Sequence, residues 1–334
     1  MVRVKLEDVC ERGTSNLKMS DVTDLSGNYP IYGAAGYIGN VDFYHQINPY
    51  VAIVKDGAGI GRAMLCPAQS SIIGTMQYLL PKKNILPRYL YYVVKYMHLE
   101  KYFTGATIPH IYFKDYKNET FNLEALERQK EIVTVLEKCE KVIEYRKREL
   151  NELDSLIKAR FVEMFGDPIH NENKWSKMPL DLACRVIVDC PHSTPNYLTQ
   201  DTGYMCIRTS IVKKNKILWN EIEFISESEY LQRIKRKKPE KGDIIYTREG
   251  AILGIAAIID RKCNVALGQR SMLLSPDKRI CTSEFLCTAM NFESFLDNAL
   301  KGVIGSASPH INVGDIKAFQ MIMPPVDLQY QFSL

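Results

Sequence analysis

The chain has 334 residues, 46% hydrophobic and 25% charged, which is more than one compact domain usually holds and too apolar for a disordered polypeptide. Its 43 basic and 39 acidic residues leave a net charge of +4, too small an excess to define a nucleic-acid binder but compatible with local basic faces. No apolar run reaches the roughly 18 residues of a membrane span, and charges interrupt any signal-peptide core in residues 1–10, so a soluble cytoplasmic protein is expected.

In chain order, the first legible element is Val51-Ala-Ile-Val-Lys-Asp-Gly57 with Gly61, which reads as a strand, a glycine turn and a returning strand. A helix is expected over Pro87–Phe103, followed by the segment Gly105-Ala-Thr-Ile-Pro-His-Ile111. From about Leu123 to Phe165 there is neither proline nor glycine. Ile132, Leu136, Cys139, Ile143, Arg146, Leu150, Leu153, Ile157, Arg160 and Met164 alternate spacings of four and three, the seam of a coiled coil broken only by its two arginines. Glu124 with Arg128, Glu137 with Lys141, Glu144 with Arg148 and Asp154 with Lys158 stand four residues apart, acid first, on a solvated face. A rod of this length, about 60 Å at 1.5 Å per residue, is expected to link two globular bodies. Gly166-Asp-Pro168 supplies its stop.

After the rod the pattern returns. Asp243-Ile-Ile-Tyr-Thr-Arg-Glu-Gly250 with Gly254 repeats the strand and glycine turn, Ser283–Leu300 repeats the helix, and Gly305-Ser-Ala-Ser-Pro-His-Ile311 repeats the loop. Pro109, His110, Ile111, Asp115 and Gln129 align with Pro309, His310, Ile311, Asp315 and Gln329 at one constant offset. The expected fold class is therefore α+β, with two similar domains separated by a long coiled-coil-forming helix. The boundaries read as 1–122, 123–166 for the helix, 167–325, and 326–334 as the start of a second rod.

The residues of several enzyme classes are missing. Asp56-Gly-Ala-Gly-Ile-Gly61 could pass for a cofactor loop, but such a loop works by opening a helix, and Arg62-Ala-Met-Leu-Cys-Pro67 leaves no room for one. Asn48-Pro-Tyr50 lacks the second proline of the amino-methyltransferase signature, and neither a phosphate loop nor H-E-x-x-H occurs. The nine cysteines are odd in number and never form C-x-x-C, which favours buried reduced thiols over disulfides or zinc. No catalytic residue, metal or cofactor is expected.

What the turns do carry is basic and amide groups. Thr247, Arg248, Gln269 and Arg270 supply the forks that fit guanine and adenine edges. Lys55, Arg62 and Lys114 occupy comparable places in the first half, and Arg208 is grouped with them. Thr107, His110, Ser308 and His310 lie on the two Pro-His-Ile loops, where a histidine satisfied by its own loop is an equally good reading. The run Arg233-Ile-Lys-Arg-Lys-Lys238 with Lys241 suits phosphate contact, or is simply a solvated loop. Two similar domains with such turns on one rod suggest recognition of a two-part DNA site.

Leu126-Glu-Arg-Gln-Lys-Glu-Ile132, Arg160-Phe-Val-Glu-Met-Phe-Gly-Asp-Pro168, the repeated Pro-His-Ile and Pro324-Pro-x-x-x-Gln329 resemble the specificity subunits of type I restriction-modification systems, over essentially the whole chain. The resemblance implies two target-recognition domains held apart by two antiparallel helices, each reading half of a split site in double-stranded DNA. It also implies partner methyltransferase subunits that modify an adenine in each half, and motor-nuclease subunits that cleave. In that family's pattern a second long helix would begin near Asp327, and here the sequence stops at Leu334. On this reading Leu136, Ile143, Leu150, Leu153 and Ile157 lack their intramolecular cover, and a homodimer through the central helix is expected. The alternative is a stand-alone DNA-binding or scaffold protein that no longer assembles with a methyltransferase.

Overall fold

The structure is a computed structural model of the chain and describes residues 2–22, 26–105, 109–301, 303 and 309–333. Contacts divide the chain inside its long helix, into Met1–Glu149 and Leu150–Leu334.

In the first unit the apolar run Tyr50–Val54 is a strand with all five side chains buried, as a strand must be when layers cover both its faces. It lies in a four-stranded antiparallel sheet ordered Cys10–Thr14, Met76–Pro81, Tyr50–Val54, Ala63–Cys66. Alternation sends Val51 and Ile53 to one face, where they pack with Leu90 and Val94 of the helix Pro87–Tyr96. Tyr50, Ala52 and Val54 go to the other, with Met76, Tyr78 and Ile72. On that side lies a three-stranded sheet, Gly36–Val41, Tyr29–Gly33 and Ser71–Ile72, whose last pair is parallel.

The second unit repeats this plan strand for strand and adds a short hairpin, Val212–Lys213 with Lys216–Ile217. Its four-stranded antiparallel sheet runs Cys184–Asp189, Ser271–Pro276, Ile244–Thr247, Ala256–Ile258. Ile244, Tyr246, Met272 and Leu274 face Phe285 and Leu286 of the helix Ser283–Met290, while Ile245, Leu273 and Ala257 face Ile207, Val265 and Leu267. The three-stranded sheet Glu223–Phe224, Met205–Ile207, Val265–Leu267 again contains one parallel pair. Each unit is completed by a two-stranded ribbon, Val2–Lys5 with Thr120–Leu123 and Lys177–Pro179 with Gln320–Ile322. The expected α+β class and its internal repeat are both present.

The long helix spans Leu126–Phe165. It starts three residues later than the sequence suggested, because Phe121 and Leu123 alternate with exposed Thr120 and Asn122 in a strand of the ribbon. Ile132 and Val133 pack on the first unit's core, and Phe161 and Phe165 are fully buried in the second's. Gly166 ends the helix with φ +76°, its N–H donating to Val162 O at 2.9 Å, as a left-handed cap does. Residues 141–160 are all exposed, Leu150 at 60% and Leu153 at 50%.

Two expected helices are each broken. Pro87–Phe103 stops at Tyr96, and a 3-10 turn Leu99–Tyr102 follows His98 at φ +51°. Ser283–Leu300 splits into Ser283–Met290 and Glu293–Leu300. There Asn291 turns its side-chain amide onto the backbone of Ala256, accepting from N at 2.9 Å and donating to O at 2.8 Å. At the chain's end Val326–Phe332 is helical, and Phe332 packs edge-on against Phe161 and Phe165.

The repeated glutamine has a structural meaning. Gln129 is fully buried. Its Oε1 accepts from Leu86 N at 2.9 Å, and its Nε2 donates to Asn84 O and Glu124 O at 2.9 and 2.8 Å. Gln329 does the same, accepting from Thr282 N at 2.9 Å and donating to Ile280 O and Pro324 O at 3.1 and 2.8 Å. Each ties the loop that starts one sheet-covering helix to the first turn of the helix that carries the glutamine.

Candidate nucleic-acid interface

In each unit a glycine hairpin leaves the four-stranded sheet and is pinned by the Pro-His-Ile loop. In the first, Ile111 N donates to Lys55 O and Gly57 N donates to Pro109 O, both at 2.9 Å. In the second, Ile311 N donates to Arg248 O at 2.9 Å and Gly250 N to Pro309 O at 3.0 Å. Gly57 and Gly250 hold φ +92° and +87°, which their turns require and an L side chain resists. The repeat seen in sequence is thus a clamp on a hairpin tip.

Around the first tip, Lys55, Arg62, His110 and Lys114 are brought together. His110 Nδ1 lies 2.7 Å from Asp56 Oδ1, and Lys55 Nζ lies 3.9 Å from Asp56 Oδ2. Exposed Arg62 lies over Gly59 and donates to Ala34 O at 3.3 Å. Lys114 Nζ sits 5.4 Å from the centre of the exposed Tyr112 ring, a cation–π distance. Thr107 and Ser308 lie outside the described residues.

Around the second tip, Thr247, Arg248, Gln269, Arg270 and His310 meet, but they do not share one environment. Thr247 is fully buried, its hydroxyl accepting from Ile255 N at 2.9 Å. Arg248 has a side chain only 7% exposed, forked onto Asp189 at 2.8 and 3.1 Å. Thr247 exposes no surface and Arg248 very little, so of the residues expected to touch DNA these two stand in the packed interior behind the tip. Arg270 and His310 are exposed, and Gln269 is half-buried, donating to His192 O at 2.7 Å. Arg208 is half-buried beside Gly268, its Nε 2.8 Å from Glu223 Oε2 in an ion pair without hydrogen-bond alignment, its guanidinium over the Tyr197 ring. Asp189 and His192 had no sequence signal, because their partners Arg248 and Gln269 stand 59 and 77 residues away. Arg233, grouped by sequence with an exposed basic run, is buried, whereas Lys235, Arg236 and Lys238 of that run are exposed.

The surroundings offer no activated nucleophile among the thiols of the cores. Burial pushes Cys10, Cys66, Cys184 and Cys206 each up to about 12, far above a reactive thiolate. Among the described residues no three His, Cys, Asp or Glu side chains are grouped to hold a metal, and no helix is long and apolar enough to cross a membrane.

Residues 1–155 and 192–332 match the family described as "Type I restriction modification DNA specificity domain". The chain belongs to that family. Its role is that of a non-catalytic DNA specificity subunit. Among solved structures, the type I restriction-modification S subunit from M. genitalium superposes with a TM-score of 0.62 at 13% identity, covering 99% of this chain and 87% of that one. This likeness shows a shared fold. A structure described by complex assembly and conformational transition of the type I R-M system, 14% identical, and the HsdS subunit from Thermoanaerobacter tengcongensis, 15% identical, cover 99% of the specificity chain and 87% and 86% of their own. Their TM-scores are 0.46 and 0.38, and nothing rests on them. Curated protein sequences contain no match.

Proposed function

We propose that the specificity chain reads a two-part site in double-stranded DNA, one half per unit, and directs partner methyltransferase and motor-nuclease subunits to it in the cytoplasm. The observation that carries this reading is the same clamped hairpin in both units, decorated differently: Lys55, Arg62, His110 and Lys114 at one tip, Gln269, Arg270 and His310 at the other. A shared scaffold carrying different polar side chains is what two unlike half-sites need, since scaffold contacts position and side chains at base edges specify. Adenine methylation mapped in cells carrying the methyltransferase gene, with and without the gene for this chain, tests it. A two-part methylated motif that appears only with the specificity chain is expected, and methylation independent of it would overturn the reading.

The exposed stretch 141–160 supports a second element of the proposal. Val142, Ile143, Leu150, Leu153, Leu156 and Ile157 are each 46–64% exposed, and burying such a side chain fully is worth about 1.5–3 kcal/mol. Two central helices pairing antiparallel about a two-fold axis near Leu150 would bring Arg146 and Arg148 of one copy toward Asp154 and Glu152 of the other, opposite in sign. The expected outcome is a dimer at tens of micromolar by sedimentation, dissociated by Leu150→Asp and unchanged by Glu163→Lys. A monomer at that concentration would end the homodimer idea.

A further inference from the structure

In the second unit, two buried arginines hold one exposed arginine. Arg270 is exposed and adopts φ +66°, the left-handed region that a non-glycine residue enters only when its surroundings impose it. Its guanidinium makes no hydrogen bond or ion pair with any described residue, and it lies along the hairpin tip, 3.2 Å from where a Cβ on Gly250 would stand. What imposes the turn is a double clamp.

Arg248 forms one side. Its N–H donates to Arg270 O at 3.0 Å, while its side chain forks onto Asp189, pairs with Glu249 at 2.8 Å and reaches Ile311 O at 3.5 Å. Arg233, with a side chain 2% exposed, forms the other. It donates to Leu267 O at 3.3 Å and to Ser193 O at 2.9 Å, and pairs with Glu229 at 3.1 Å. Between them the turn Leu267–Ser271 and the loop Asp189–Ser193 are stitched together. Cys190 N donates to Ser271 O at 3.1 Å, Gln269 Nε2 to His192 O at 2.7 Å, and Gly268 N to Ile207 O at 2.8 Å. A buried guanidinium paired in this way cannot swing out, because doing so strands its carboxylate. The corresponding place in the first unit, where Lys55 N donates to a turn carbonyl at 3.0 Å, is Thr75, so the device belongs to one half alone.

We propose that Arg248 and Arg233 are positioning residues that never touch DNA and that fix Arg270 as the base-reading side chain of the second half-site, with guanine, whose O6 and N7 match its fork, as the base read. The assignment rests on the two-part DNA reading above. It replaces a direct contact by Arg248 with an indirect one, and it gives Arg233 a role that its place in a basic run concealed.

The test uses the full chain and a pool of duplexes with 30 randomised base pairs at low salt. The wild-type chain should select a two-part motif; if it selects none, the DNA reading itself fails and this assignment with it. Given a motif, Arg270→Ala should lose discrimination at one or two guanines of one half by about 10- to 100-fold. Arg248→Gln paired with Asp189→Asn, which removes the buried carboxylate together with the guanidinium forked onto it and leaves only the partly exposed Glu249 without its partner, and Arg233→Met should lose discrimination at those same positions by a similar factor. Binding of these positioning variants to one non-selected duplex, and its dependence on salt, should stay within about twofold of wild type, since no phosphate contact is removed. Arg248→Lys, smaller and unforked but charged, should restore part of the discrimination and covers the case in which a neutral variant fails to fold. Unchanged discrimination in a folded Arg248 or Arg233 variant would overturn the assignment. So would loss at positions other than those of Arg270→Ala, or a reduced salt slope.

Discussion

Gln129 and Gln329 each satisfy three main-chain groups from inside a core. Truncating either to alanine strands two carbonyls and an N–H, so a loss of about 2–4 kcal/mol is expected, read as a shifted denaturation midpoint. Gln329→Glu should fare no better, because a carboxylate cannot donate to Ile280 O and Pro324 O. The thiols make a second prediction. At pH 8 iodoacetamide should label exposed Cys139 first, and Cys10, Cys66, Cys184 and Cys206, held at about 12 by burial, far more slowly; equal rates by mass spectrometry would mean open cores. At this scale the sequence showed which residues recur but not how they are used. Thr247 and Arg248 carry the chemistry of base contacts, yet burial depends on Asp189 and Ile255 arriving from other elements. No local pattern encodes that.

The hairpins show why some elements were easier to read. Apolar runs ending in glycines give strands and turns from local information alone, and Tyr50–Val54 with Ala63–Cys66 and Ile244–Thr247 with Ala256–Ile258 pair as their sequences imply. The helices that cover them broke because a distant partner competed for their backbone: Asn291 bonds to Ala256 where the helix would otherwise continue. Likewise the ribbon strand Thr120–Leu123 exists only because Val2–Lys5 pairs with it from more than a hundred residues away. Glycine substitutions separate conformation from crowding. Gly61 has φ +79°, and a Cβ there would collide with the backbone N of Glu100, whereas Gly36, at φ +125°, has open space around it. Gly61→Ala should therefore cost about 3–5 kcal/mol and Gly36→Ala about 1–2 kcal/mol. Thermal melts giving equal losses would show that the 99–100 turn yields.

Across the whole molecule, the constant offset between the two Pro-His-Ile segments was visible in sequence because it reflects one plan used twice, down to the order of strands in each sheet. The tips were less legible, because what differs between them is which side chains reach water. Arg62→Ala should weaken discrimination within the half-site of the first unit by about 1–3 kcal/mol if its contact is bidentate and leave the other half unchanged. Selection from random duplexes shows this directly, and equal loss in both halves would contradict independent reading. The glutamine lock bears on how such a protein changes over generations. Every partner of Gln129 and Gln329 is a main-chain atom, and main-chain atoms are indifferent to the side chains around them. A lineage can exchange the interior of one unit, or let its tip drift, while the join to the following helix stays intact. On the proposed reading of one half-site per unit, two vocabularies could then be inherited separately, and a new word acquired without forgetting the old one.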